Sequence, residues 1–108
     1  MVSACIDGFD WDDGNREKCL KHGLTIALIE SVFDGVVHVM PDPAHSEQET
    51  RYIAIGLTHE KRSVFIAYTL RESHGLHLIR PISARYMHRK EIEYFAQAIA
   101  KTENGRRG

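Results

Sequence analysis

A chain of 108 residues, 43% of them apolar, suffices for one domain with a real core and is too short for two. Two cysteines are too few for the disulfide framework of a small secreted domain, no stretch is long and apolar enough to cross a membrane, and Met1-Val2-Ser3-Ala4-Cys5 lacks the parts of a secretory signal, so a cytoplasmic protein with reduced thiols is expected, Cys19 packing a helix face. The net charge of −1 argues against a nucleic-acid binder, but its distribution argues the other way: residues 1–50 hold ten acidic and three basic side chains, residues 51–108 five and eleven.

The opening Phe9-Asp10-Trp11-Asp12 reads as a short extended piece, after which Asp12 or Asp13 can cap a helix by accepting hydrogen bonds from its free N–H groups. That helix is predicted over about 15–22, stopped by Gly23, a residue suited to the left-handed end of a helix. Thr25 can cap a second helix that sets Ile26, Ile29 and Phe33 on one face and ends at Asp34-Gly35. Residues 36–40 read as a strand, and residues 41–49, with Pro41 and Pro43, as a polar connection.

Three alternating stretches follow over 51–57, 63–71 and 76–85, separated by turn-like residues 58–62 and 72–75, which predicts an antiparallel meander. A third helix is predicted over 88–101, with Ile92, Phe95 and Ile99 packed on the sheet, and it ends before Asn104-Gly105. The sum is a single α+β domain with a core over about 7–102 and a flexible tail over 103–108. A small antiparallel sheet is expected to carry two N-terminal helices and a C-terminal helix on one face.

Strand alternation puts His77, Ser83 and Arg85 on one side of the last strand and Leu76, Leu78, Ile82 and Ala84 on the other. Arg80 falls on the apolar side unless Pro81, which has no N–H for the ladder, breaks the alternation. Two arginines and a serine at a strand end suit a phosphate, because guanidinium presents a planar fork of donors and stays charged. From spacing alone, ion pairs between these arginines and carboxylates of neighbouring elements are the more common use of such residues.

Lys21 and His22 fit the negative end of a helix dipole, and His22 also titrates near neutral pH and can move a proton. His45 and Glu49 have a helical ligand spacing, but the prolines and the lack of a second pair argue against zinc, and no metal or cofactor is expected. Cys-x-x-Cys pairs, glycine-rich phosphate loops and nucleophile elbows are absent from the sequence. Trp11, Tyr68 and Tyr86 can stack bases or pack in the core.

Taken together, Trp11-Asp12, Lys21-His22-Gly23, Val32-Phe33, His45-Ser46 with Glu49 and Arg51, Ile55-Gly56, Tyr68-Thr69 with Arg71, and Ile82-Ser83-Ala84-Arg85 leading into Glu91 resemble the BrnT family of type II toxins over about residues 9–95. The resemblance implies a RelE-like fold, ribonuclease activity without a metal, and a BrnA-like antitoxin that neutralises the toxin and carries the pair's contact with DNA. It places catalytic roles on Lys21, His22, Arg80, Ser83 and Arg85. Glu49 and Arg51 form a second set, and with Tyr68, Arg71, Tyr86 and His88 they are the candidate RNA-binding residues. Lys18 stands where the family often has asparagine, Pro81 where it has an aliphatic residue, and the loop before His45 is short.

The expected reaction is attack of a ribose 2′-OH on the adjacent phosphate, leaving a cyclic phosphate and a 5′-OH. The competing expectation is a toxin-like module that binds an antitoxin or nucleic acid without cleaving. A metal-dependent nuclease would need clustered carboxylates that the sequence does not offer.

Overall fold

The computed structural model describes residues 6–45 and 49–107, with the side chains of 45 and 102–107 left undescribed. Cys5, the His45 side chain, Ser46 and Gly108 therefore lie outside the described residues.

Strand β1 (Gly8–Phe9) leads into helices α1 (Asp13–Cys19) and α2 (Ile26–Val32). Strand β2 (Val37–Pro41), a single 3-10 turn over Pro43–His45, strands β3 (Arg51–Leu57), β4 (Ser63–Ser73) and β5 (Leu76–Tyr86), and helix α3 (Arg89–Arg107) complete the chain. The five strands form one sheet in the order β1-β5-β4-β3-β2. Strands β2 to β5 are an antiparallel meander as expected, and β1 joins the edge of β5 in parallel, which makes the sheet mixed.

Both N-terminal helices begin where an oxygen-bearing side chain can serve a free N–H. Asp12 accepts from the N–H of Asn15 at 3.0 Å while Asn15 Oδ1 accepts from the N–H of Asp12 at 2.7 Å, a reciprocal capping box. Thr25 accepts from the N–H of Leu28. The first helix ends three residues earlier than predicted, at Cys19, so Lys21 and His22 sit in a turn that reaches Gly23 at φ 85°. Leu24 is drawn into the core immediately afterwards, and the chain must leave the helix axis to deliver it.

Cys19, Leu24, Leu28, Ile29 and Val32 from the helical segment pack on Ala54, Val64, Ile66, Tyr68, Ile79 and Ala84 of the sheet. Gly56 lets α2 come close, since a Cβ there would meet Val32 Cγ1 at 3.0 Å. The β4–β5 hairpin turns on His74 (φ 53°) and Gly75 (φ 80°), the two left-handed residues that a two-residue hairpin loop asks for.

The expectation that all helices cover one face is corrected. Ala54, Gly56 and Ile66 face α1 and α2, whereas Ile55 and His38, paired across β2 and β3, face the other way, and His38 meets the ring of Phe95 in α3 at 5.4 Å. Helix α3 thus lies against the second face, and it packs less than its spacing suggests: none of its described residues is buried, and Tyr94 is 77% exposed. It also continues to Arg107 where a tail was expected. Glycine lowers helix stability by only about 1 kcal/mol, so Gly105 by itself does not stop a helix.

Candidate active site

The geometry of β5 turns on one residue. Ser83 is opposite Ala67 and Pro81 is opposite Tyr68, so Ile82 is an extra residue without a partner, a β-bulge. Beyond it Arg80 is opposite Thr69, in step with Ala67 and Phe65 on β4, which are opposite Ser83 and Arg85. The bulge therefore moves Arg80 onto the face shared by Ser83 and Arg85, the arrangement that strict alternation denied it. Arg51, opposite Thr69 on the other side, and Arg71 belong to the same face.

A cleft of about 270 Å³ opens there, lined by Gly14, Asn15, Lys18, Glu49, Arg51, Arg71, Arg80 and Ile82. Four of these eight residues are cationic, and Glu49 is the single carboxylate among them. Glu49 pairs with Arg71 at 3.1 Å.

Arg80 is held by two acids, Asp12 at 2.8 Å and Asp10 at 3.3 Å. Partial burial works against its charge, but Asp12 and then Asp10 outweigh it and leave its pKa raised. Asp12 is correspondingly lowered, first by the N–H of Asn15 and then by Arg80. Asn15 ties this corner together: it is 4% exposed, and its amide donates to the carbonyls of Pro81 (2.8 Å) and Asp10 (2.9 Å) while its oxygen serves the N–H of Asp12. Every polar atom of that buried side chain is used, and one of its bonds ends on the bulge itself.

Arg85 is held differently. Glu91 of α3 takes both its terminal nitrogens, at 2.8 and 2.9 Å, and its guanidinium lies 4.6 Å over the Phe65 ring. Glu91 also accepts from the N–H of His88, the residue preceding α3. The hydrogen bond from Arg85, followed by that N–H, brings the Glu91 carboxyl down to about 2.

Lys21 and His22 are exposed in their turn, no hydrogen bond or ion pair ties either to another described residue, and neither lines the cleft, where Lys18 stands instead. Three aromatic candidates are packing residues. Tyr68 is 7% exposed on the opposite, core face, 5.5 Å from both Phe33 and Tyr52. Tyr86 packs on the core under Arg62, whose guanidinium lies 3.7 Å from the ring centre. Trp11 leans on the core and donates from Nε1 to Glu30 at 3.0 Å. Cys19 is fully buried, and burial raises its thiol to about 11, an inert packing residue as expected.

Sequence reasoning missed the supporting residues: Asn15, Asp10, Asp12 as a partner of Arg80, and Glu91 as a partner of Arg85. The Asp-x-x-Asn spacing of a capping box was the signal for the first group. Among the described residues no group of three or more His, Cys, Asp or Glu side chains is placed to hold a metal, and no helix is long and apolar enough to cross a membrane.

These features define a small α+β protein whose second sheet face carries Arg51, Arg71, Arg80 and Arg85. The family profile of BrnT, the ribonuclease toxin of type II toxin-antitoxin systems, matches residues 11–91, and the chain belongs to that family. It is thus a toxin of the ribonuclease kind, with an antitoxin as its partner. No curated protein matches the chain.

Proposed function

We propose that the chain is a metal-independent endoribonuclease, neutralised by a BrnA-like antitoxin, which holds RNA across the second face of its sheet and cleaves it by 2′-OH attack on the adjacent phosphate. The observation that carries this reading is the bulge at Ile82, which aligns Arg80 with Ser83 and Arg85 beside the cleft that Arg51, Arg71 and Lys18 line. Guanidinium has five N–H donors, and the two carboxylates on Arg80 use its terminal nitrogens without consuming them all.

In this scheme Arg51, Arg71 and Lys18 draw the phosphate in, and Arg80 and Arg85 stabilise the charge that grows on its oxygens in the transition state. Ser83, exposed between the two arginines, supplies a hydrogen bond. Proton transfer falls to Glu49, the carboxylate of the cleft, and to His22, an exposed imidazole in the turn after α1 that bound RNA would meet outside the cleft. The antitoxin, by contrast, acts through complex formation, and DNA is met only through it.

The test is cleavage of a single-stranded RNA by the purified chain with EDTA present, followed by analysis of the ends. Equal cleavage with and without EDTA, a 2′,3′-cyclic phosphate and a 5′-OH are expected, with Arg85→Ala losing about 10²-fold or more in rate. Loss of cleavage in EDTA, or full activity in Arg85→Ala, would sink the scheme.

One observation favours a second reading, a module that grips its partner without cleaving: Arg71, Arg80 and Arg85 each already have a carboxylate partner. Growth on induction decides between them, because a pure binding module does not arrest cells.

A further inference from the structure

The two edges of the sheet are finished differently. At the β5 edge β1 takes up the backbone groups near Leu78 and Ile79, and Asn15 takes the carbonyl of Pro81. At the other edge β2 pairs with β3 alone.

The direction of the β2 backbone groups follows from its register. The N–H of Asp42 donates to the carbonyl of Arg51, so 42 and 51 are a hydrogen-bonded pair. Pairs in an antiparallel ladder alternate, hence Met40 and His38 also bond to β3, while Val37 and Val39 turn an N–H and a carbonyl outward and Pro41 a carbonyl alone. Natural edge strands are protected by charge, proline or a bulge. Between Val36 and Met40 there is no Lys, Arg, Asp, Glu or Pro, protection coming only at the end of the strand with Pro41 and Asp42; Val36 is 83% exposed and Val39 49%.

Both flanks of this edge are hollow. On the core side lies a cavity of about 680 Å³ lined in part by Phe9, Phe33, Val37, Val39 and Leu70, with Asp7 and Asp34 also on its wall. On the other side a groove of about 270 Å³ runs past Val36, His38, Leu57, Ile92 and Phe95. A strand laid along β2 would drop alternate side chains into the two hollows.

We infer that β2 is the docking edge for an extended segment of the antitoxin, added as a sixth strand, apolar at alternating positions and flanked by basic residues that meet Asp7 and Asp34. This rests on the toxin reading of the preceding section and adds the surface and the chemistry of the partner segment. A second copy of the chain fits worse. Two such edges brought together would set the acidic first half of one copy, with its net −7 over residues 1–50, against that of the other.

The experiment compares amide hydrogen exchange of the chain alone with that of its complex with the co-expressed cognate antitoxin, and measures the affinity of two variants. Val39→Pro removes an N–H that bonds nothing in the described structure, and Val39→Lys protects the edge with charge; together they guard against a variant that does not fold. Slowed exchange at Val37 and Val39 in the complex is expected, with both variants binding at least about tenfold more weakly, 1.4 kcal/mol by the usual conversion. RNA cleavage by the variants should be unchanged.

Full affinity in both variants, or protection confined to the arginine face, overturns the edge assignment and leaves the antitoxin reading standing. Absence of any complex overturns both. A dimer of the chain alone that both variants abolish assigns the edge to a second copy and overturns the proposal.

Discussion

The two arginines at opposite ends of the bulged stretch of β5 are held by similar carboxylate contacts on dissimilar foundations. Arg80 rests on Asp12 and Asp10, which are fixed by a helix cap and by the buried amide of Asn15, so its position is set by the core. Arg85 rests on Glu91, at the start of a helix with no buried described residue. Both are paired with carboxylates, but only the first is backed by a network running through the buried amide of Asn15, which unfolds with the domain. The difference separates a fixed element of the site from an adjustable one.

The largest expected effect comes from breaking the fixed end. Asn15→Ala leaves the carbonyls of Pro81 and Asp10 and the N–H of Asp12 without their partner, at about 1–3 kcal/mol for each group left buried and unmade. A loss on the order of 3 kcal/mol lowers the melting midpoint by roughly 12–24 °C in a domain of this size. Glu91→Ala, removing an ion pair that is partly open to water, should shift the midpoint by at most a few degrees. Thermal melts of the two side by side test the contrast, which fails if Glu91→Ala is the more damaging change.

Arg80→Lys is the intermediate case. Lysine offers a point charge in place of a fork and cannot hold Asp10 and Asp12 as the guanidinium does. The fold should survive with a melting shift of a few degrees, while RNA cleavage should drop by about 10²-fold, the usual cost of a misplaced group. A kcat/KM equal to that of the parent would mean that Arg80 is purely structural.

The contrast between the ends also marks what the sequence could tell. Alternation in 51–57, 63–71 and 76–85 and the caps at Asp12 and Thr25 are local signals, and the elements they predict are present. The shared face of Ser83 and Arg85 followed from the same rule. Arg80 did not, because a bulge is decided by both strands of a ladder and by Asn15, 66 residues away from Pro81. Core packing of Tyr68 and Tyr86 was one of the two roles the sequence allowed, beside base stacking, because a period of two says which residues share a face and leaves open which face is covered. Helix α3 shows the reverse error, since Ile92, Phe95 and Ile99 keep a helical period although Ile92 stays 39% exposed.

The smallest effect is a pH dependence that belongs to the adjustable end. Glu91 has its carboxyl near 2 in the folded chain against an ordinary 4.5. A depressed carboxylate contributes stability that is complete above the unfolded value and fades as the pH falls from about 4.5 toward about 2. Glu91→Gln keeps the shape without the charge, so its deficit against the parent should be visible in urea midpoints at pH 7, shrink through pH 4 and vanish close to pH 2. Asp12 is also lowered, and its share of the acid sensitivity should persist in the variant. A deficit that stays constant from pH 7 to pH 2 would mean that Glu91 acts through packing and not through its pairing with Arg85, and the second arginine would then be as firmly placed as the first.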